Sequence, residues 1–149
     1  MENRSESRKK IMTILYQIFL YEEDKINYDV KDVIKENMEI ENEFVNEIVY
    51  GVLENKNDID KIANKNLKDW TIDRFSKVDS AILRIGIYEL CYTDTPEVVA
   101  INEAVELAKE YSDEKVKNMI NAVLDSIYHE DNKNEWVYNS WCINSLYKV

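Results

Sequence analysis

With 149 residues, 45% of them hydrophobic, the chain is long enough for one domain with a real core and too apolar for general disorder. Two glycines and one proline are too little punctuation for a turn-dense sandwich or barrel. The net charge of −11 argues against a nucleic-acid partner in sum, but its distribution is uneven. Residues 22–60 carry thirteen acids against four lysines, whereas Arg4, Arg8, Lys9 and Lys10 outnumber Glu2 and Glu6 in the first ten residues. No apolar run approaches the ~20 residues of a membrane span. The N-terminus also lacks the apolar core of a signal peptide, so a cytoplasmic protein without a membrane role is expected.

Residues 5–21 open with Ser5 and Ser7 as candidate caps. Ile11, Ile14, Leu15, Ile18 and Phe19 then repeat on one face, which predicts an amphipathic helix. Its first turns carry Arg8, Lys9 and Lys10, cations that oppose the helix macrodipole at a cost of about 0.3–1 kcal/mol each. Such residues either solubilise the helix or serve a ligand. Val30, Val33 and Ile34 predict a short second helix ending near Asn37. A third runs from about Ile40, burying Phe44, Val45, Ile48, Val49, Val52 and Leu53. Asn55–Asp58 reads as a break, with Asp58 the candidate cap of a further helix through Ile59, Ile62 and Leu67. Trp70, a lone aromatic near a helix end, is expected to pack between helices.

The stretch Val78–Leu90 is apolar around most of its circumference, broken only by Asp79, Arg84 and Glu89. A surface helix needs one apolar stripe, so this one must be wrapped by others and is expected to be the central helix of a bundle. Asp79 is a candidate N-cap for it, and Arg84 is expected to pair with an acid inside the bundle. Tyr92–Pro96 is the strongest turn signal. Val98–Ala100, with its two β-branched valines, is expected to begin extended, before a helix through Asn102–Lys109. A last helix places Val116, Ile120, Val123, Leu124 and Ile127 on one face. Residues 131–149 change character, with Trp136, Tyr138, Trp141 and Tyr147 among asparagines, and form an appended tail beside a domain spanning 1–130. Helix after helix with short polar joints predicts an all-α bundle.

Nothing in this pattern reads as catalytic. Gly51 and Gly86 stand alone within helical stretches instead of forming a phosphate loop. Cys91 and Cys142 have neither metal nor disulfide spacing, and one histidine, His129, leaves little for a zinc site. Glu103 and Glu106 lie one turn apart as in di-iron helices, but that site also needs two Glu-x-x-His pairs. No enzyme, metal or cofactor is expected.

The opening Ser7-Arg8-Lys9-Lys10-Ile11-Met12-Thr13-Ile14-Leu15-Tyr16-Gln17 resembles the first helix of the NusB family of transcription antitermination factors. More specific are Leu67-Lys68-Asp69-Trp70, Arg74, Lys77-Val78-Asp79, Ala81-Ile82-Leu83-Arg84 and Tyr88-Glu89-Leu90. Pro96, then Val99-Ala100-Ile101-Asn102-Glu103-Ala104-Val105-Glu106-Leu107-Ala108-Lys109, and finally Asn121-Ala122-Val123-Leu124-Asp125 continue it in order. The resemblance spans roughly residues 4–130. It implies a compact all-α bundle of about seven helices in two small helical subdomains, with neither catalysis nor cofactor. It also implies a role: with the ribosomal protein NusE, such proteins bind boxA RNA of ribosomal RNA operon leaders. Together with other Nus factors they help RNA polymerase resist termination.

By matching motifs, the implied RNA surface falls on Arg4, Ser5, Arg8, Lys9 and Lys10, on Lys77 and Asp79, and on Lys115, Asn118, Met119 and Asn121. Cations there would take phosphates with salt-dependent counterion release. Many family members carry Lys-Phe-Val-Asn-Gly-Val-Leu-Asp where this chain has Asn118-Met119-Ile120-Asn121-Ala122-Val123-Leu124-Asp125. Met119 thus replaces an aromatic able to stack on a base, an interaction of roughly 1–3 kcal/mol. Two other readings stand beside this one. One is an RNA-binding domain of the kind fused to rRNA cytosine methyltransferases, against which stands a chain ending at 149 with no methyl-donor domain. The other is a helical protein-interaction module without an RNA role, suggested by the −11 charge and the aromatic tail. A homodimer also stays open, because an apolar face can be closed by a second copy as well as by a partner.

Overall fold

The computed structural model describes residues 3–133, with side chains through residue 130; the aromatics expected in the tail at 134–149 lie outside the described residues. Seven helices follow in order among the described residues: α1 (Arg4–Glu23), α2 (Val30–Asn37), α3 (Glu43–Glu54), α4 (Lys56–Asn66), α5 (Lys77–Tyr92), α6 (Glu97–Tyr111) and α7 (Glu114–Lys133). A 3₁₀ turn, Ile72–Arg74, leads into α5. The final helix runs three residues into the stretch assigned to the tail.

As the sequence predicts, α5 is the centre. Every residue from Ser80 to Tyr92 is buried, and α1, α3, α4, α6 and α7 all pack against it. Helix α1 gathers a first group by touching α2, α3 and α5, and α4 packs on α5, α7 and the end of α3. The last three form a second group in which α6 lies between α5 and α7. One apolar core runs through both groups, from Ile11, Ile14 and Leu15 to Ile120 and Leu124.

The caps expected for α1 and α5 are displaced to short polar side chains two to four residues earlier. Asn3, not Ser5 or Ser7, caps α1 by accepting the Glu6 N–H at 2.9 Å. Ser76, not Asp79, caps α5 by accepting the Asp79 N–H at 3.1 Å. The third helix begins after Asn42, which accepts the Val45 N–H, and leaves Ile40 in the preceding connection. The break expected across Asn55–Asp58 is a single residue, Asn55, whose side chain donates to the Gly51 carbonyl at 2.8 Å. Asp58 consequently sits in the first turn of α4, where its charge suits the dipole without capping it. Val98–Ala100, expected extended, is helical: Pro96 has a φ of −55° and its carbonyl accepts the Ala100 N–H at 3.0 Å. Fixing φ before the first turn outweighs the small β preference of exposed valines.

Two close approaches explain the glycines. A Cβ on Gly86 would stand 3.1 Å from the Ala104 Cβ and 2.9 Å from a Leu124 methyl, so α5, α6 and α7 meet at this point without a side chain between them. A Cβ on Gly51 would fall 2.1 Å from the Tyr88 ring. That ring is buried and stacked on Tyr92, with centroids 5.2 Å apart. Gly51→Ala is therefore expected to destabilise the fold despite the better helix propensity of alanine. Overpacking costs about 1–3 kcal/mol against a propensity gain of about 1 kcal/mol. Thermal denaturation should show a lowered midpoint, and an unchanged or raised midpoint would mean that Tyr88 yields freely.

Candidate nucleic-acid interface

The residues singled out in the sequence fall into three places. On α1, Arg4, Ser5, Arg8, Lys9 and Lys10 share the first two turns, but their environments differ sharply. Arg8 is only 2% exposed. Its Nε donates to both carboxylate oxygens of Glu89 on α5, at 3.0 and 3.1 Å, and its Nη1 lies 3.5 Å from Glu103 on α6. An arginine so placed is committed to the bundle, which is not the role of a phosphate contact expected for it. In the sequence, Glu89 within an apolar helix calls for a partner, but nothing there singles out Arg8 as that partner.

Burial pushes the Glu89 carboxyl above the ordinary carboxylate value, and the Arg8 guanidinium pulls it back down. Nearby Glu103 adds to the upward push. Ser5 donates to Glu103 at 2.7 Å, and Lys9 pairs with Glu110 at 3.1 Å, a contact that holds the exposed Lys9 ammonium above its usual value. Ser5 and Lys9 therefore face a cleft whose opposite wall, on α6, carries Glu103, Glu106 and Glu110. Arg4 is exposed and lies over the Phe44 ring of α3 at 4.6 Å. Lys10 is half-buried on the other side, in a cleft shared with Glu6 and the α2–α3 connection.

At the start of α5, Lys77 pairs with Glu23 at 3.3 Å, at the far end of α1 from Arg4. With a rise of about 1.5 Å per residue, that separates Lys77 from the α1 cations by most of the length of the helix. Asp79 accepts a hydrogen bond from the Ser112 hydroxyl, which joins the start of α5 to the α6–α7 turn. Beyond that turn, Lys115, Asn118 and Asn121 are exposed on α7, whereas Met119 is half-buried against the core. The fold thus sets Asp79 beside the start of α7, but it does not draw all of these residues into one patch.

Arg84 behaves as the sequence predicts. It forms a two-pronged pair with Asp60 on α4, at 2.8 and 3.1 Å, and lies over the Phe19 ring. Trp70 is half-buried beside the 3₁₀ turn, with Arg74 over its ring at 4.0 Å and Lys115 at 5.5 Å. Among the described residues, no group of three or more His, Cys, Asp or Glu is placed to hold a metal, and no helix is long and apolar enough to cross a membrane.

The fold and these surfaces define a helical module with two linked subdomains, its charge sorted between an acid-rich belt and several exposed cations. The chain belongs to the NusB family, which it matches over residues 5–129. It is 41% identical to the transcription antitermination protein NusB of Listeria monocytogenes serotype 4a (strain HCC23), over 86% of this chain and 98% of that one. It is 41% identical to the protein of the same name from Clostridium botulinum (strain Alaska E43 / Type E3), over 84% of this chain and 97% of that one. Among solved structures, T. maritima NusB superposes with a TM-score of 0.73 at 30% identity, covering 87% of this chain and 92% of that one. A crystal structure of the antitermination factors NusB and NusE in complex with double-stranded RNA gives 0.73 at 28% identity, covering 85% and 96%.

The buried ion pair yields a stability test. Arg8→Met leaves Glu89 a buried carboxylate without its guanidinium, which raises its pKa further. A group with a raised folded pKa is at no disadvantage below its unfolded value and loses stability as pH rises through the folded one. The deficit of Arg8→Met against wild type is therefore expected to be greatest at neutral pH, about 3–5 kcal/mol, and to shrink as Glu89 takes up a proton in acid. Denaturant titrations across that range should show it; a pH-independent deficit would mean that lost packing, not charge, dominates.

Proposed function

We propose that this chain is a cytoplasmic transcription antitermination factor that binds boxA-type RNA of ribosomal RNA operon leaders together with NusE. In this role it joins the other Nus factors on RNA polymerase and helps the enzyme resist termination. The observation that carries this reading is the likeness of the whole described domain to NusB in a complex with NusE and RNA. Arg4, Lys9 and Lys10 supply phosphate contacts from the first turns of α1. Arg8 acts indirectly, by holding that helix to α5 and α6 through Glu89 and Glu103. Lys77, Asp79, Lys115, Asn118 and Asn121 contribute a second contact region around the α6–α7 turn, with Ser5 and Met119 as lesser members of the two regions. The residues before 131 form the binding domain, and the remaining stretch is an appendage to it. No catalytic step or cofactor enters this role.

Titrating labelled boxA RNA at two salt concentrations, with and without NusE, tests the reading. Tight binding that needs NusE and weakens with salt is expected, and no binding in any condition would sink it. Arg4→Gln removes an exposed phosphate contact without touching the core. It should lower the slope of log K against log salt by about 1.

A further inference from the structure

The contact between Trp70, Arg74 and Lys115 is used by none of the roles above except through Lys115. Trp70 and Arg74 come from the loop and 3₁₀ turn before α5, and Lys115 from the first turn of α7. Forty-five residues of chain separate Trp70 from Lys115, so the fold alone brings them together. The ring is half-buried and its indole nitrogen is fully enclosed, which fixes the plane against the body of the protein. The Arg74 guanidinium lies 4.0 Å from the ring centroid while Arg74 itself stays exposed.

Neither Arg74 nor Lys115 is paired with a carboxylate among the described residues, although Asp69 and Asp73 lie in the same loop. Asp73 is instead engaged by the Thr71 hydroxyl. In a chain of net charge −11, two unpaired cations over one immobilised aromatic plane mark a place where an anion with a flat group attached is welcome. Cation–π contact keeps the guanidinium over the ring before any ligand arrives, which lowers the entropy lost on binding.

We infer that Trp70, Arg74 and Lys115 form a stacking and phosphate site for one nucleotide of single-stranded RNA. The base lies on the outer face of the Arg74 guanidinium, whose inner face is backed by Trp70, and the phosphate meets the Lys115 ammonium. Unpaired bases stack on arginine planes as well as on aromatic rings, and a paired base in a duplex does not. The site would supply a stacking surface that Met119 does not, and would extend the contact region at the start of α7 toward the 3₁₀ turn. This inference rests on the RNA-binding reading given above.

Anisotropy titrations of the full chain with NusE and labelled single-stranded boxA RNA test it. Arg74→Gln is expected to weaken binding about tenfold, the lower part of what one stacked base contributes. Lys115→Gln should instead reduce the salt slope by about 1. Arg74→Lys, which keeps the charge and loses the plane, should behave like Arg74→Gln. A duplex of the same sequence should bind wild type and Arg74→Gln alike. In a Trp136→Phe/Trp141→Phe background, RNA should change the emission of Trp70, which needs no substitution at the site. Wild-type RNA binding with no loss in Arg74→Gln and no change in Trp70 emission would overturn this site and leave the RNA-binding reading intact. Absence of RNA binding by the wild type would overturn both.

Discussion

A helix buried on all sides offers its charged residues no route to water, and α5 carries two of them in its enclosed stretch. Arg84 and Glu89 must each find a partner within the bundle, and the partners they find fix the arrangement of the other helices. Arg84 reaches Asp60 on α4 with a matched two-pronged contact. Glu89 takes Arg8 from α1, and Arg8 in turn reaches Glu103 on α6. Four helices are thereby keyed to one another in a single register, with α1 antiparallel to α5 from Arg8–Glu89 at one end to Glu23–Lys77 at the other. Buried pairs of this kind add little net stability over apolar packing, because both charges lose their hydration. Their consequence here is that a slipped packing would strand a charge in the core.

That same pair changes the meaning of the basic N-terminus. Read along the chain, Arg4, Arg8, Lys9 and Lys10 form one cluster. In three dimensions the helix distributes them around its circumference. Arg8 turns inward, Lys9 meets Glu110, and Arg4 rests on Phe44. The local positive charge available to a ligand is smaller than the residue count suggests, and its position depends on α6, whose glutamates face it across the cleft.

The helices themselves were legible because their apolar residues recur at spacings of three and four, and the central helix because its apolar residues occupy every face. Their starts were not, because more than one short polar residue able to cap stands near most boundaries. Asn3 and Ser76 won over Ser5, Ser7 and Asp79, and Asn42 starts the third helix two residues after Ile40, through geometry that only the folded backbone displays. The fate of Arg84 followed from its place in an apolar run. The fate of Arg8 was hidden, because its own helix is amphipathic and its partner lies 81 residues away. The Trp70–Lys115 contact was equally beyond reach, since nothing in either segment points to the other. The family resemblance supplied the fold and a set of positions, but it could not say which of those side chains the bundle consumes.

Within the acid-rich segment between residues 22 and 60, Glu39, Glu41, Glu43 and Glu47 are all exposed along the α2–α3 side, an acidic belt on the fold. Toward a polyanion this belt works as an orientational filter. A strand arriving on that side is turned away over roughly a Debye length, about 8 Å at physiological ionic strength, while one arriving over Arg74 and Lys115 meets two cations. The surplus of negative charge thus sorts encounters by direction instead of forbidding them. Adding salt would erase the sorting along with the attraction, leaving a protein that meets its ligand more often on the wrong side.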